Sequence, residues 1–207
     1  MTLPSDYISD HYLNKLAKQA QEQAIGIITA GHSNAFTYHD LIHTSSVAEQ
    51  TVVLANDHQL SERSKTALYI AAWFHDSGYY ESIEDHERIG ANHAREFVHD
   101  QDADHELVDQ IYHLILKTSI STEPESIEQQ IIRDADLHYL GIEAYQAIAA
   151  RLRLEWETTL NKEYTDREWT EQNLRFMNRH RYYTEHAKHR FQHGKDQNIQ
   201  ALRDLLS

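Results

Sequence analysis

Three short segments set ionisable side chains beside strongly apolar sequence: His39 and His43 in "YHDLIHT", His75 and Asp76 ending "ALYIAAWFHD", and Asp134 and Asp136 in "IIRDADLHYLG". A buried imidazole or carboxylate without a partner is costly, and convergence on a cation is the simplest way to satisfy such a group. Adjacent residues on a helix point about 100° apart. At a helix end near Gly78, however, His75 and Asp76 can reach one ion from different directions. Two imidazoles and two carboxylates leave positions open on a six-coordinate ion. That mixture of nitrogen and oxygen donors suits Mn, Fe, Co, Ni or Mg better than a closed tetrahedral zinc site.

Helices must carry these residues. The chain has only two prolines, Pro4 and Pro124, and six glycines, so few interior breakers interrupt long helices. Ser5 is expected to cap a first helix on which Ile8, Tyr12, Leu13, Leu16, Ala20 and Ala24 recur at helical spacing, with Gly31 at its end. Leu41, Val47 and Ala48 follow in similar order in the next run. Ser61, with Ser64 and Lys65, opens a helix in which Ala67, Leu68, Ala71, Ala72 and Trp73 make most sides apolar. This helix is expected to be central, with Gly78 as its stop signal. Further helices are expected at about 85–100, 104–119, 124–139, 141–160, 166–192 and 196–206. No strand alternation, internal repeat or linker is visible. The expectation is one all-α domain over 1–207, with the motifs in about 38–141 and a C-terminal helical extension over about 142–207 packed against them.

Composition narrows the ligands. The 207 residues carry 19 Lys and Arg against 33 Asp and Glu, a net charge of -14, with no basic stripe for a nucleic acid polymer. A small anionic substrate would need a local positive device, such as a metal ion. The absence of cysteine removes disulfides, thiolate nucleophiles and cysteine zinc sites. No export signal and no run approaching the roughly 18 apolar residues of a membrane span is present, so a cytoplasmic protein without a membrane partner is expected.

A histidine opening one helix, an adjacent His-Asp closing a buried helix and a later aspartate in "DAD" together resemble the HD-domain superfamily of metal-dependent phosphohydrolases. The "RLEW" and "YYTEHAKHRF" segments look like its longer, predicted members. The resemblance implies an all-α HD-type bundle with additional C-terminal helices. It implies His43, His75, Asp76 and Asp136 as ligands of a divalent metal, with Asp134 as their assisting neighbour. It also implies hydrolysis of phosphate esters or anhydrides, often in nucleotides, by metal-activated water. The His86-x-x-x-Gly90 spacing resembles a segment that supplies a second-metal ligand in some relatives. The further histidine of those relatives has only His113 as a stand-in, which favours one metal. Where the alarmone and 5'-nucleotidase relatives carry acidic residues after His-Asp, this chain has Tyr79 and Tyr80. The Gly-Tyr-Pro signature of the cyclic-dinucleotide relatives is absent.

The remaining roles are assigned against plainer readings. His86, Glu87 and Asp134 are the candidate catalytic groups, with an exposed polar helix start as the plainer reading of the first two. His39, Arg88, Lys117 and Arg133 are the candidate substrate contacts, with a structural histidine and solvated or ion-paired charges as the alternatives. Arg153 and Glu155 read as a structural pair, and His186, His189 and His193 as a solvated face. Tyr79 is the aromatic residue expected nearest the site. The partner implied is a small phosphorylated substrate, a nucleotide above all, and a homodimer is compatible with this reading. The rivals are a regulatory module that binds metal and nucleotide without turnover, and a di-iron oxygenase that would require extra ligands.

Overall fold

The computed structural model of the protein describes residues 9–207. The expected cap Ser5 and the apolar Ile8 lie outside the described residues. The first helix, α1 (Asp10–Gly31), is capped by Ser9, whose hydroxyl accepts from the Tyr12 N–H. There follow α2 (Leu41–Asn56), α3 (Glu62–Phe74), α4 (His86–Asp100), α5 (His105–Leu116) and α6 (Ile127–Asp136). A 3₁₀ turn (His138–Gly141) leads into α7 (Tyr145–Thr159), α8 (Asp166–Arg179) and α9 (Glu185–Asp204). Among the described residues there is no strand, and the fold is all-α. None of the described helices is long and apolar enough to cross a membrane.

The centre is α3, as its composition implies. Leu68, Ile70 and Phe74 are each 0 % exposed, and burial of such a side chain contributes about 1.5–3 kcal/mol. Ala67, Ala71 and Ala72 keep the helix slim, so α1, α2, α4, α5 and α6 all pack on it. Ser61 accepts from the Ser64 N–H and starts α3 where the sequence indicates. A second apolar cluster joins Tyr38, the 137–140 turn and α7–α9. Tyr182, Ala187 and Phe191 of the C-terminal segment belong to the first core, so the extension shares packing with the motif-bearing helices.

The expected helix over 166–192 is broken, and the one expected from 196 begins earlier. Residues 180–184 form an extended strap, and α9 runs unbroken from Glu185. The cause is a buried carboxylate distant in sequence. Asp134, 0 % exposed, accepts from the Tyr183 N–H (2.9 Å), the Thr184 N–H (2.7 Å) and the Thr184 hydroxyl (2.8 Å). Those backbone donors are thereby withdrawn from a continuous helix. Thr184 then caps α9 by accepting from Ala187. Lys195, also buried, donates to the His180 carbonyl at 2.7 Å and fixes the strap's other end.

Gly78 and Gly90 set the α3–α4 approach. A Cβ on Gly90 would stand 2.4 Å from the Phe74 carbonyl oxygen, and one on Gly78 would stand 2.5 Å from that of His86. Neither has positive φ, so Gly78 is required by closeness rather than by a left-handed helix stop. Gly90→Ala should therefore destabilise by about 1–3 kcal/mol through overpacking. Gly26→Ala, where an added Cβ meets nothing within 4 Å, should stabilise by about 0.5–1 kcal/mol. Urea unfolding of the two variants tests the opposite signs.

The strap also carries an acid-sensitive group. Burial, with Lys195 and Arg133 nearby, pushes the His180 imidazole from 6.5 down to about 3. Between those values the unfolded chain binds a proton that the folded chain refuses, so stability falls as pH drops from about 6.5 towards 3. The loss of stability between pH 7 and pH 5 should be smaller in His180→Gln. Equal losses in urea midpoint for variant and wild type would contradict this assignment.

Candidate metal centre

Three helix ends meet around the ionisable residues. Asp40 caps α2 by accepting from the Ile42 and His43 N–H groups at 2.9 and 3.0 Å, which places His43 in the first turn. His75 and Asp76 follow the last residue of α3, where the chain turns, and Asp136 is the last residue of α6. His43, His75 and Asp136 each offer one atom within 4.8 Å of the others. Asp76 Oδ2 lies 3.1 Å from His43 Nε2 and 2.9 Å from His75 Nε2, and the two Nε2 atoms are 3.3 Å apart. Asp136 Oδ1 lies 3.4 and 3.6 Å from the same nitrogens. Neighbouring ligands about 2.0–2.2 Å from one first-row ion stand roughly 3 Å apart, so this donor spacing fits a single cation.

The imidazoles are oriented by their outward nitrogens. His75 Nδ1 lies 2.8 Å from the Ala72 carbonyl, and His86 Nδ1 2.7 Å from that of Ile83. A carbonyl oxygen only accepts, so Nδ1 carries the hydrogen and Nε2 faces the cluster. His138 Nδ1 likewise donates to the Ala135 carbonyl, while its Nε2 meets the Ser46 hydroxyl and ties α2 to the 3₁₀ turn.

The electrostatics favour positive charge at this point. Burial by itself lowers the His75 and His43 pKa values, but Asp76 and Asp136 outweigh it and raise both, His75 the further. Burial likewise opposes ionisation of Asp76 and Asp136, yet the two imidazoles hold both carboxyls well below the usual range. A field that stabilises imidazolium also stabilises a metal cation.

The cluster opens into a cavity of about 930 Å³. His39, His86 and Glu87 line it beside His43, Asp76 and Asp136. His86 Nε2 is 3.6 Å from Asp76, and Tyr79 stacks on His39 at 3.7 Å between ring centres. Leu152, Trp156, Tyr164, Trp169 and Phe176, contributed by α7, α8 and their connection, form an apolar and aromatic wall. Arg175, Arg179 and Arg181 add positive charge to the lining.

Of the other expected site residues, Arg133 lines the cavity and the rest lie elsewhere. Asp134 faces the strap and does not line the cavity. Arg88 is exposed and paired with Asp85, and Lys117 donates to the Glu123 carbonyl and pairs with Glu125. Neither lines the cavity. Arg133 does, but it is buried and donates to the Lys117, Ser119 and Thr122 carbonyls, so its main work is to shape that loop. His113 bonds its own helix, and His186 contacts Asp57 while His189 and His193 are exposed. The expected Arg153–Glu155 pair does not form. Residues two apart on a helix point about 200° apart, and Arg153 binds Glu157 and Asp166 while Glu155 meets His39.

The family model for the HD domain matches residues 40–139. The chain carries an HD domain. Among curated proteins and among solved structures nothing matches it. The HD domain spans α2 to the 3₁₀ turn and contains His43, His75, Asp76 and Asp136, whereas α7 and α8 contribute their wall from outside it. Such domains are generally found in metal-dependent hydrolases.

Asp76→Ala should abolish retention of a divalent ion while leaving the helical circular dichroism unchanged. Elemental analysis after desalting measures this, and full occupancy in the variant would remove Asp76 from the ligand set.

Proposed function

We propose that this HD-domain protein is a metal-dependent phosphohydrolase acting on a nucleotide or another small phosphorylated compound. The reading is carried by one observation: residues of the His/Asp cluster line the same cavity as aromatic side chains of α7 and α8. His43, His75, Asp76 and Asp136 would hold one divalent ion. Such an ion lowers the pKa of coordinated water and offsets phosphate charge, which supplies a nucleophile near neutral pH. The chain's own groups provide the rest. His39 and His86 present imidazoles beside the cluster, where a phosphoryl group would lie, and Glu87 adjoins His86 at 3.5 Å. The indole of Trp156 and the ring of Phe176 suit a planar, apolar moiety such as a base. In a chain of net charge -14, Arg175, Arg179 and Arg181 supply guanidinium groups to the lining that an anionic substrate could meet, Arg175 and Arg181 while also pairing with Glu171 and Glu123.

Protein loaded in turn with Mn, Fe, Co, Ni and Mg should release phosphate, pyrophosphate or nucleoside from at least one member of a panel of nucleotides and phosphoesters. Chelation should stop turnover, and Asp136→Ala should lower kcat/KM by more than about a hundredfold. Inactivity with every metal and compound would favour the regulatory module that binds without turnover.

A further inference from the structure

Glu155 lies on α7, beyond the residues matched as HD domain, and is 0 % exposed. Its carboxylate reaches back to the segment preceding α2. Oε2 accepts from the Tyr38 and His39 N–H groups at 2.8 and 2.9 Å, and Oε1 meets His39 Nδ1. Burial pushes the carboxyl up, but His39 and the two backbone donors outweigh it and keep Glu155 below the usual glutamate range. An ionised carboxylate only accepts, so Nδ1 of His39 carries the hydrogen. The ring is then held on the face of Tyr79, with Nε2 on the cavity side, 3.9 Å from Asp76 Oδ2.

Backbone anchoring alone does not account for a buried carboxylate here. Arg151 already ties the same segment to α7, donating to the Thr37 carbonyl at 2.7 Å and to Asp40 at 2.6 Å. The Tyr80 hydroxyl holds the His39 carbonyl at 2.6 Å. Burying a carboxylate costs several kcal/mol before its partners compensate. What Glu155 adds to these ties is control of one imidazole.

We propose that Glu155 is a positioning residue that turns His39 into the proton acceptor of the site, so that the C-terminal extension completes the centre begun by the HD domain. The catalytic part of this proposal rests on the phosphohydrolase reading; the orientation of the ring does not. In the step inferred, the attacking water forms a bond to phosphorus and its proton passes to His39 Nε2, the lone pair left free when Nδ1 carries the hydrogen. The bond from phosphorus to the leaving oxygen breaks, and that oxygen departs with the electron pair and is protonated by solvent.

Glu155→Gln tests this in the full chain, because an amide offers one acceptor oxygen and one NH2 donor: with the oxygen kept on the Tyr38 and His39 N–H groups, the NH2 donates to His39 Nδ1 and the ring hydrogen moves to Nε2. Proton–nitrogen spectra of the Mg-loaded protein should show His39 with an exchange-protected hydrogen on Nδ1 in the wild type and without it in Glu155→Gln. Bound metal should be unchanged. With any compound the wild type hydrolyses, kcat should fall on the order of a hundredfold with KM within about threefold. His39→Gln should show the same fall, and the double variant no more than either. His39→Gln carries the kinetic test if Glu155→Gln does not fold. Wild-type kcat in the variants, a loss explained by lost metal, or multiplicative effects in the double variant would each overturn the proposal. If the wild type hydrolyses nothing, the phosphohydrolase reading and the proton-acceptor role fail together, while the spectra still separate an oriented His39 from a free one.

Discussion

The architecture turns on two carboxylates, Asp76 and Asp136, held against two imidazoles, His43 and His75, where α2, α3 and α6 end. Negative charge removed from water is tolerable only where positive charge is close, and the 2.9–3.6 Å spacings of this cluster provide that closeness. This requirement explains local features that propensity alone does not. The chain leaves α3 immediately after its most apolar stretch, because His75 and Asp76 must diverge from the helix axis. Asp40 caps α2 so that His43 enters at its first turn, and α6 stops once Asp136 has been delivered.

A second layer fixes the direction of each ring. His75, His86 and His138 donate from Nδ1 to carbonyls three residues earlier, a local bond available wherever a histidine follows a helical turn. His39 has no such carbonyl and instead uses Glu155, across a separation of 116 residues. The contrast matters for how the chain is organised. Rings held by their own helices need only the HD domain, while the ring held by Glu155 requires α7 to be docked. Arg151, on the same helix, bonds Thr37 and Asp40, so the docking of α7 is also coupled to the cap that places His43.

What could be read from the residues follows the same division. His43, His75, Asp76 and Asp136 stood out because ionisable groups interrupt apolar helices, and Ser61, with Ala67 to Trp73, marked the central helix by local pattern. Asp134 and Asp136, two apart in a helix, had to face different ways, and the structure assigns one to the strap and the other to the cluster. The strap itself was illegible: residues 180–184 have no local reason to leave a helix, and the carboxylate that draws them out is about 50 positions earlier. Glu155 failed to register for a related reason. Its nearest cation in sequence, Arg153, suggested a structural pair, whereas its true partner could be found only after α7 had been folded back on residues 37–40.

The distribution of charge then accounts for how an acidic protein presents a cavity to an anion. Of the four carboxylates that line the cavity, Asp76 and Asp136 are committed to the imidazoles, Glu87 adjoins His86 and Glu123 pairs with Arg181, while Glu155, behind the lining, is committed to His39 and two backbone donors. Among the described residues Arg133 is bound to carbonyls and a hydroxyl rather than to a carboxylate, and it joins Arg175, Arg179 and Arg181 along the lining, of which Arg175 pairs with Glu171 and Arg181 with Glu123. The lining thus carries four carboxylates and four guanidinium groups, so the net charge of -14 arises outside it. The interior is arranged so that an added positive centre finds carboxylates already oriented towards it, and an added negative group finds guanidinium in the same lining.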